Sequence, residues 1–406
     1  MIRYHASWVV PIAGIPLRDG WVVTDRDRVV AFGGRAPHAP GDAPIRDVDL
    51  GQVAIMPGLV NAHTHLELSY LRDEVAPASQ FVAWVRAMMA MRRQGPAPTA
   101  PVVITAVERA LEECAAHGTA VVGDISNTLV SFGPLERSGL AAVLFYELIR
   151  FNTADPQGLV DRALGELDAL GATDRVRLSL AAHAPYSVAP LVFRAMRRAL
   201  DGRPFAPCSV HLAESAEEVE FVRDGSGPWR ALLQELGAWD PNWSAPGVSP
   251  VQYLESAGFL GRRVLAVHGV QMTPADLDRL AACGATLVAC PRSNGHTGAG
   301  APPLEEFYAS GVHVAVGTDS LASAPDLNVF AELATMRALA PSVPASALLS
   351  SATLSGARAL GFDADFGTIE PGKSSHLLAV TLPSHVLDVE EYLVSGIDRE
   401  QVRWIE

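Results

Sequence analysis

Lysine is all but absent from this chain of 406 residues: Lys373, close to the C-terminus, is the only one, and every other basic residue except the histidines is an arginine. A two-metal centre bridged by a modified lysine in the middle of the chain is thereby excluded. Cysteine is nearly as scarce. Cys114, Cys208, Cys283 and Cys290 show no C-x-x-C spacing, which excludes zinc ligation of the P-C-x-x-C kind. Their apolar surroundings suit free thiols in a reducing compartment. Positive charge is in deficit as well. The formal net charge of −14 argues against a ligand with a phosphate backbone, so no nucleic-acid partner is expected. No apolar run reaches the roughly 18 residues of a membrane span, and no basic segment precedes an apolar stretch at the N-terminus. A soluble, cytoplasmic protein without a membrane partner is the expectation. What is abundant is apolar side chain: 49% of residues are hydrophobic and 19% charged, enough to bury a large core.

Short β-branched or Leu-rich runs recur along the chain, separated by helical patterns and punctuated by Gly, Pro, Asp and Asn, which reads as repeated βα units. Eight strands are predicted, over 55–60, 120–125, 141–147, 176–182, 207–211, 263–268, 285–290 and 312–318. Helices are predicted over Val219 to Leu236 and Pro274 to Ala282, the second with Thr273 as N-cap and Pro274 at its first position. The fold class is therefore α/β, a (β/α)8 TIM-type barrel over 55–364 whose catalytic groups belong at the C-terminal ends of the strands. Before 55 and after about 365 the pattern changes to short strand pieces joined by Gly, Pro and Asp turns. Residues 1–54 and 365–406 are expected to form one small β-sandwich domain, with the barrel inserted between them. Segment 237–250, rich in Pro and Trp, is long for a barrel connection, and loops of that kind often shape binding sites.

Histidines mark the strand ends. His63 and His65 follow the run from Ile55 to Val60, and at i and i+2 of an extended strand their imidazoles project to one face. Alone, that pair is as compatible with two surface histidines as with ligands for a borderline-soft metal. Downstream, His211 in Ser209-Val210-His211-Leu212-Ala213-Glu214, His268 in Ala266-Val267-His268-Gly269 and Asp319 in Gly317-Thr318-Asp319-Ser320 each close a short apolar run. Three imidazoles and a carboxylate, with one carboxylate and one imidazole left for proton work, make the inventory of a hydrolytic metal site.

Together with Pro57-Gly58, Cys290-Pro291-Arg292-Ser293-Asn294 and Glu370-Pro371-Gly372-Lys373, these motifs resemble the amidohydrolase superfamily in content and order, from about residue 20 to about 380. Within it the chain is similar to the mononuclear deaminase and chlorohydrolase branch. Asn61 to Ser69, Phe81-Val82-Ala83-Trp84-Val85 and His183-Ala184-Pro185-Tyr186-Ser187 look most like the aminodeoxyfutalosine deaminases of the alternative menaquinone pathway. Close relatives of those enzymes deaminate S-adenosylhomocysteine and methylthioadenosine. One departure is Ser375-His376, where the family usually has Ala-Asp; it concerns the end domain and not the chemistry. The resemblance implies conversion of the 6-amino group of an adenine-type nucleoside to a keto group, with 6-amino-6-deoxyfutalosine as the first candidate. A guanine deaminase or a triazine-type chlorohydrolase would share the metal machinery and differ in the pocket. A barrel kept only as an interaction protein would lack ligands that this chain has.

The same resemblance implies one divalent metal ion, zinc or alternatively iron, on His63, His65, His211 and Asp319. His268 then hydrogen-bonds the attacking hydroxide, and Asp319 can also accept its proton. Glu214, three residues after His211, becomes the proton shuttle rather than a solvated Glu favoured by a helix dipole. Substrate contacts are less determined. His183 ends strand four and is either a contact to purine or sugar or a satisfied core histidine. Trp84 either stacks on the base or packs in the core with Phe81 and Met88. Arg150, after strand three, either pairs with a substrate carboxylate or is a surface arginine. Asn294, after strand seven, is expected to orient substrate, and Glu67, within the first histidine motif, completes the substrate-binding set. Arg292 is expected to brace its loop. His5, His38, His117, His296, His313, His376 and His385 carry no assignment. The partner is a small nucleoside; a homodimer is compatible with the sequence but not implied by it.

Overall fold

The computed structural model describes residues 1–35, 45–203 and 206–405, so His38 lies outside the described residues. Eight parallel strands follow one another in chain order: β1 (Leu59–Thr64), β2 (Thr119–Ser126), β3 (Ala141–Leu148), β4 (Val176–Ala182), β5 (Cys208–Leu212), β6 (Val264–His268), β7 (Thr286–Ala289) and β8 (His313–Val316). Nearly all their residues are buried, as parallel strands covered on both faces require. Successive side chains divide between two cores. Val60, Ala62, Val121, Val143, Val267, Val288 and Ala315 pack together in one cluster. Their neighbours Leu59, Leu180, Val210, Ala266, Leu287 and Val314 pack instead with helical residues such as Val192, Phe193 and Leu277. The helix Pro190–Asp201 shows why: Val192, Phe193, Met196 and Leu200 form one apolar stripe.

The seam between β8 and β1 is closed just past the end of β8. Asp319 N–H donates to the His63 carbonyl at 3.1 Å, Thr318 N–H donates to Asn61 Oδ1 at 3.1 Å, and Asn61 Nδ2 donates to Thr318 Oγ1 at 2.7 Å. Gly317 permits the approach, since a Cβ there would lie 2.7 Å from the His63 carbonyl oxygen.

Both chain ends contribute to a separate seven-stranded sheet. Its order is Val402–Trp404, Leu377–Thr381, Val53–Pro57, Ile2–Val9, Leu17–Asp25 and Arg28–Gly33, with Arg46–Asp49 paired to Ile2–Val9. Tyr4, Val9, Val22, Val29, Ile55, Ile369 and Leu377 form its own core. The strand predicted over 55–60 is therefore two strands in two sheets. An uninterrupted apolar run conceals the crossing, which occurs at Gly58, where a Cβ would meet Ala120 at 2.7 Å and the Trp404 ring at 3.1 Å. Consequently His63 lies inside β1 and His65 one residue beyond it.

The predicted helix over 219–236 is also two, Ala216–Asp224 and Gly227–Glu235, because Gly225 takes a left-handed conformation (φ 66°) at the C-cap of the first. Pro274–Cys283 begins as predicted, with Thr273 in a capping box and Pro274 at the first position. Among the described residues, no helix is long and apolar enough to cross a membrane.

Candidate active site

Polar side chains converge at the C-terminal ends of the barrel strands. β1 and the residue after it supply His63 and His65, β5 supplies His211, β6 ends on His268, and the turn after β8 carries Asp319. Donor atoms of His63, His65 and Asp319 lie within 4.8 Å of one another, as do those of His63, His211 and His268. His63 and His65 present Nε2 to Asp319 Oδ1 at 3.8 and 3.5 Å. Burial, and then the imidazoles of His65, His211 and His268, hold His63 far below the usual histidine range, so it is neutral. Yet both of its ring nitrogens are buried without a hydrogen-bond partner among the described residues. A buried lone pair inside a ring of donors is what a divalent ion satisfies. The residues present fit such an ion, and His63, His65, His211 and Asp319 are those that would hold it.

Three non-glycine residues at these strand ends adopt left-handed backbone conformations: Ala213 (φ 52°), His268 (φ 79°) and Asp319 (φ 59°). The surroundings fix them. For Asp319, the carbonyl accepts from Thr64 Oγ1 at 2.9 Å, Oδ1 accepts from Ser320 N–H at 2.8 Å, and Oδ2 accepts from Ser293 Oγ at 2.5 Å. For the turn at Ala213, the buried Glu218 carboxylate accepts the N–H groups of Ala213 and Glu214, each at 2.9 Å. Glu214 is thereby placed with Oε1 3.6 Å from His268 Nε2. Burial, followed by the negative charges of Asp319 and Glu218, pushes the Glu214 carboxyl well above its usual range. His268 is neutral, lowered to about 3 by burial and then by His211. Its Nδ1 meets Asn294 Nδ2 at 3.0 Å, and its Nε2 meets His211 Nδ1 at 2.9 Å.

Above this floor opens a cavity of about 600 Å³. Trp84, Met88 and Met89 of the helix Phe81–Gln94 form one wall, and Trp229, Leu232 and Leu233 of the helix Gly227–Glu235 another. Tyr186 stacks on Trp229 with centroids 3.6 Å apart. Arg93 and Arg150 line the cavity while largely exposed, without an ion pair among the described residues.

Of the sequence-predicted substrate contacts, His183, Trp84 and Arg150 line the cavity. His183 turns its Nδ1 to Ser187 Oγ at 2.6 Å. Trp84 is wall and core at once, packed with Leu68 and Leu71, and its buried Nε1 has no partner among the described residues. Glu67 and Asn294 lie behind the wall. Glu67 Oε1 accepts from Arg92 Nη2 at 2.6 Å, and Oε2 accepts from Ser126, Asn127 and Thr128, so both oxygens are taken. Asn294 uses its amide nitrogen on His268 and so holds a histidine rather than facing the cavity. Arg292 pairs with Asp326 at 2.8 Å and braces its loop as expected. In segment 237–250 only Gly237 and Ala238 line the cavity; Trp239 and Trp243 pack against Phe151 and Phe221.

Two carboxylates escaped sequence reasoning. Glu218 is one; the other, Glu147, sits near the end of β3 in the cavity lining. Burial would raise its pKa, but His183, His211 and His65 outweigh that and hold it below the usual range. Its signal was available, since it closes the strand predicted over 141–147 at the level of the other polar ends.

A model of the amidohydrolase family matches residues 54–396. The chain belongs to the amidohydrolase family. It is accordingly an enzyme of the metal-dependent hydrolase and deaminase class. It is 31% identical to the aminodeoxyfutalosine deaminase of Deinococcus radiodurans, over 76% of this chain and 73% of that protein. It is 30% identical to the 5-methylthioadenosine/S-adenosylhomocysteine deaminase of Moorella thermoacetica, over 95% of this chain and 88% of that one. Among solved structures, an adenosine deaminase from Xanthomonas campestris with bound zinc superposes with a TM-score of 0.84 at 29% identity, covering 99% of this chain and 90% of that chain.

Proposed function

We propose that this amidohydrolase deaminates adenine-type nucleosides, replacing the 6-amino group by oxygen and releasing ammonia. The observation that carries the reading is Glu214, a buried carboxyl in the lining of the cavity, 3.6 Å from His268 and beside the metal-ligand cluster. Relatives named for the deamination of aminodeoxyfutalosine, methylthioadenosine and S-adenosylhomocysteine support the same class. One divalent ion is required, with zinc first because the Xanthomonas enzyme carries it. Iron suits the same donors.

When bound, the ion supplies a nucleophile at neutral pH by lowering the pKa of water from 15.7 to roughly 7. Glu214 takes one proton from that water and delivers it to the ring nitrogen beside C6, which requires reach to both atoms. Its raised proton affinity suits the uptake. Neutral His268, held from behind by Asn294, hydrogen-bonds the attacking oxygen. Oxygen adds at C6, the carbon–nitrogen bond breaks, and the amine departs as ammonia with the second proton of water, relayed by Asp319. Walls of Trp84, Tyr186, Trp229 and the methionines exclude bulk water and hold the base by apolar contact.

The finer reading is 6-amino-6-deoxyfutalosine, in menaquinone biosynthesis. A cavity of about 600 Å³ with Arg93 and Arg150 in its lining suits a large anionic 5′ substituent, which a guanidinium recognises through paired hydrogen bonds. S-adenosylhomocysteine or methylthioadenosine is the second reading, favoured by the Moorella relative that spans 95% of this chain. A cytoplasmic location belongs to both. The test is ammonia release by purified, metal-loaded protein from adenine nucleosides with varied 5′ groups, with guanine and a chlorotriazine alongside. Highest kcat/KM on an anionic 5′-substituted nucleoside supports the proposal; preference for guanine or the triazine rejects it.

A further inference from the structure

The His211 imidazole stands between two neighbours. Its Nδ1 faces His268 Nε2 at 2.9 Å, whereas its Nε2 faces Glu147 Oε1 at 3.5 Å. Glu147 is 6% exposed, and its Oε1 has no hydrogen-bond partner among the described residues. The other oxygen is committed: Asn127 Nδ2 donates to Oε2 at 2.7 Å. Asn127 is fixed in turn, its Oδ1 accepting from Arg92 Nη1 at 2.9 Å and its N–H donating to Glu67 Oε2 at 3.1 Å. This gives the buried Glu67 a purpose that needs no substrate.

A buried carboxylate oxygen without a donor is unfavourable. Among the described residues, the nitrogen that forms an ion pair with Oε1 is His211 Nε2. Proton directions agree along the row. Asn294 presents its amide nitrogen to His268 Nδ1 at 3.0 Å, so the His268 proton sits on Nε2, which faces both His211 Nδ1 at 2.9 Å and Glu214 Oε1 at 3.6 Å; the His211 nitrogen facing that N–H is thus the one with a lone pair. His211 then carries its own proton on Nε2, toward Glu147.

We infer that Glu147 is the positioning residue for His211: it accepts the Nε2–H, fixes the tautomer, and keeps the Nδ1 lone pair for a metal ion, which would take it in place of the His268 N–H, for which Glu214 Oε1 is a second acceptor at 3.6 Å. Histidine ligands commonly give their second N–H to a carboxylate, which orients the ring and raises its basicity. Here the support is two layers deep, Glu147 on His211 and Asn127 on Glu147. The inference rests on the reading of His211 as a ligand and is independent of which nucleoside is the substrate. Its rival is a substrate-facing role, because Glu147 also lines the cavity.

Zinc affinity, measured by competition with a chelator on the full chain, separates the two for wild type, Glu147→Gln and Glu147→Ala. Glu147→Ala is expected to bind zinc about 10- to 100-fold more weakly. Glu147→Gln should lose less, since its amide oxygen still accepts. Once saturated with zinc, each variant should keep a KM within about 2-fold of wild type. Asn127→Ala frees the carboxylate without removing it and should weaken zinc binding in the same direction by a smaller factor; with Glu147→Gln it decides the matter if Glu147→Ala does not fold. Unchanged zinc affinity in the variants overturns the inference. So does a raised KM with zinc affinity intact, which assigns Oε1 to the substrate, or a second zinc in wild type that is lost in Glu147→Ala, which makes Glu147 a ligand. Zinc affinity is read without substrate, so rejection of the nucleoside reading would leave this result standing.

Discussion

The floor and the mouth of the cavity are built by opposite rules. On the floor, the groups proposed to react are held by neighbouring side chains: Asp319 by Thr64, Ser293 and Ser320, the Glu214 turn by Glu218, and His268 by Asn294. At the mouth, Arg93 and Arg150 are exposed without ion pairs among the described residues, and the half-buried Met88 and Met89 offer adaptable surface. Proton transfer demands hydrogen-bond distances and so a rigid frame, whereas a substituent can be held by area and charge. Chemistry here should fail on single-atom changes at the floor, and substrate choice should shift by degrees at the mouth.

The largest expected effect is loss of the ion itself. His63→Ala, or stripping wild type with a chelator, should remove the metal and all measurable turnover, and added zinc should restore only the stripped wild type. Elemental analysis beside ammonia release checks this. Two metals per active chain, or full activity with none, would contradict a one-ion floor.

Next comes the shuttle. Glu214→Gln keeps shape and burial but cannot carry a proton, so kcat should fall by about 10²- to 10⁴-fold. The drop belongs in kcat more than in KM, with one metal retained. An emptied metal site in Glu214→Gln would make Glu214 a ligand and erase the division of labour on the floor.

The mouth should respond more gently. Arg150→Met removes a cation but not the wall, and a charge-assisted hydrogen bond of roughly 1.5–3 kcal/mol corresponds to a loss of about 10- to 100-fold in kcat/KM. That loss should appear for a carboxylate-bearing 5′ substituent and not for adenosine. An equal loss on both would mean that Arg150 acts on the shared nucleoside.

The floor was far more legible in the sequence than the mouth, for a physical reason. Groups at the ends of parallel strands are announced by the apolar run before them, which is why His63, His65, His211, His268 and Asp319 could be named from spacing. Val53–Pro57 and Leu59–Thr64 merged because Gly58 passes the chain between sheets without interrupting the apolar run. Glu67 and Asn294 were expected to contact substrate, whereas the structure engages their polar atoms with other side chains; what a polar side chain bonds to depends on contacts distant in sequence, such as Glu67 with Asn127 and Thr128. Glu147 was passed over because a lone carboxylate closing a strand has no motif. The walls come from helices whose apolar residues look the same in sequence whether they face a core or a ligand, and Trp84 does both.

The smallest expected effect sharpens the comparison from beneath the floor. Glu332 is fully buried behind the helix Pro291–Thr297, which carries Ser293 and Asn294, and it accepts the Arg292 N–H at 3.2 Å. Burial pushes its pKa up to about 8, against the opposing influence of Arg292. A carboxyl with its folded pKa raised above the ordinary 4.5 favours the folded state fully below 4.5, and that contribution is lost as pH rises through about 8. Asp124 and Glu218, each raised to about 7 chiefly by burial, act in the same direction. The buried neutral histidines His63, His183 and His268 oppose this up to roughly the ordinary histidine range, so Tm of wild type should decline above it, between about pH 7 and 8.5. Glu332→Gln keeps an acceptor for Arg292 while removing the titration, so the decline should shrink by about 1–2 °C, with Tm read at both pH values by calorimetry. A decline of the same size in Glu332→Gln would show that this carboxyl titrates alike in folded and unfolded chains. The support of Ser293 and Asn294 would then be insensitive to charge at Glu332, and the rigidity of the floor would rest on its hydrogen bonds alone.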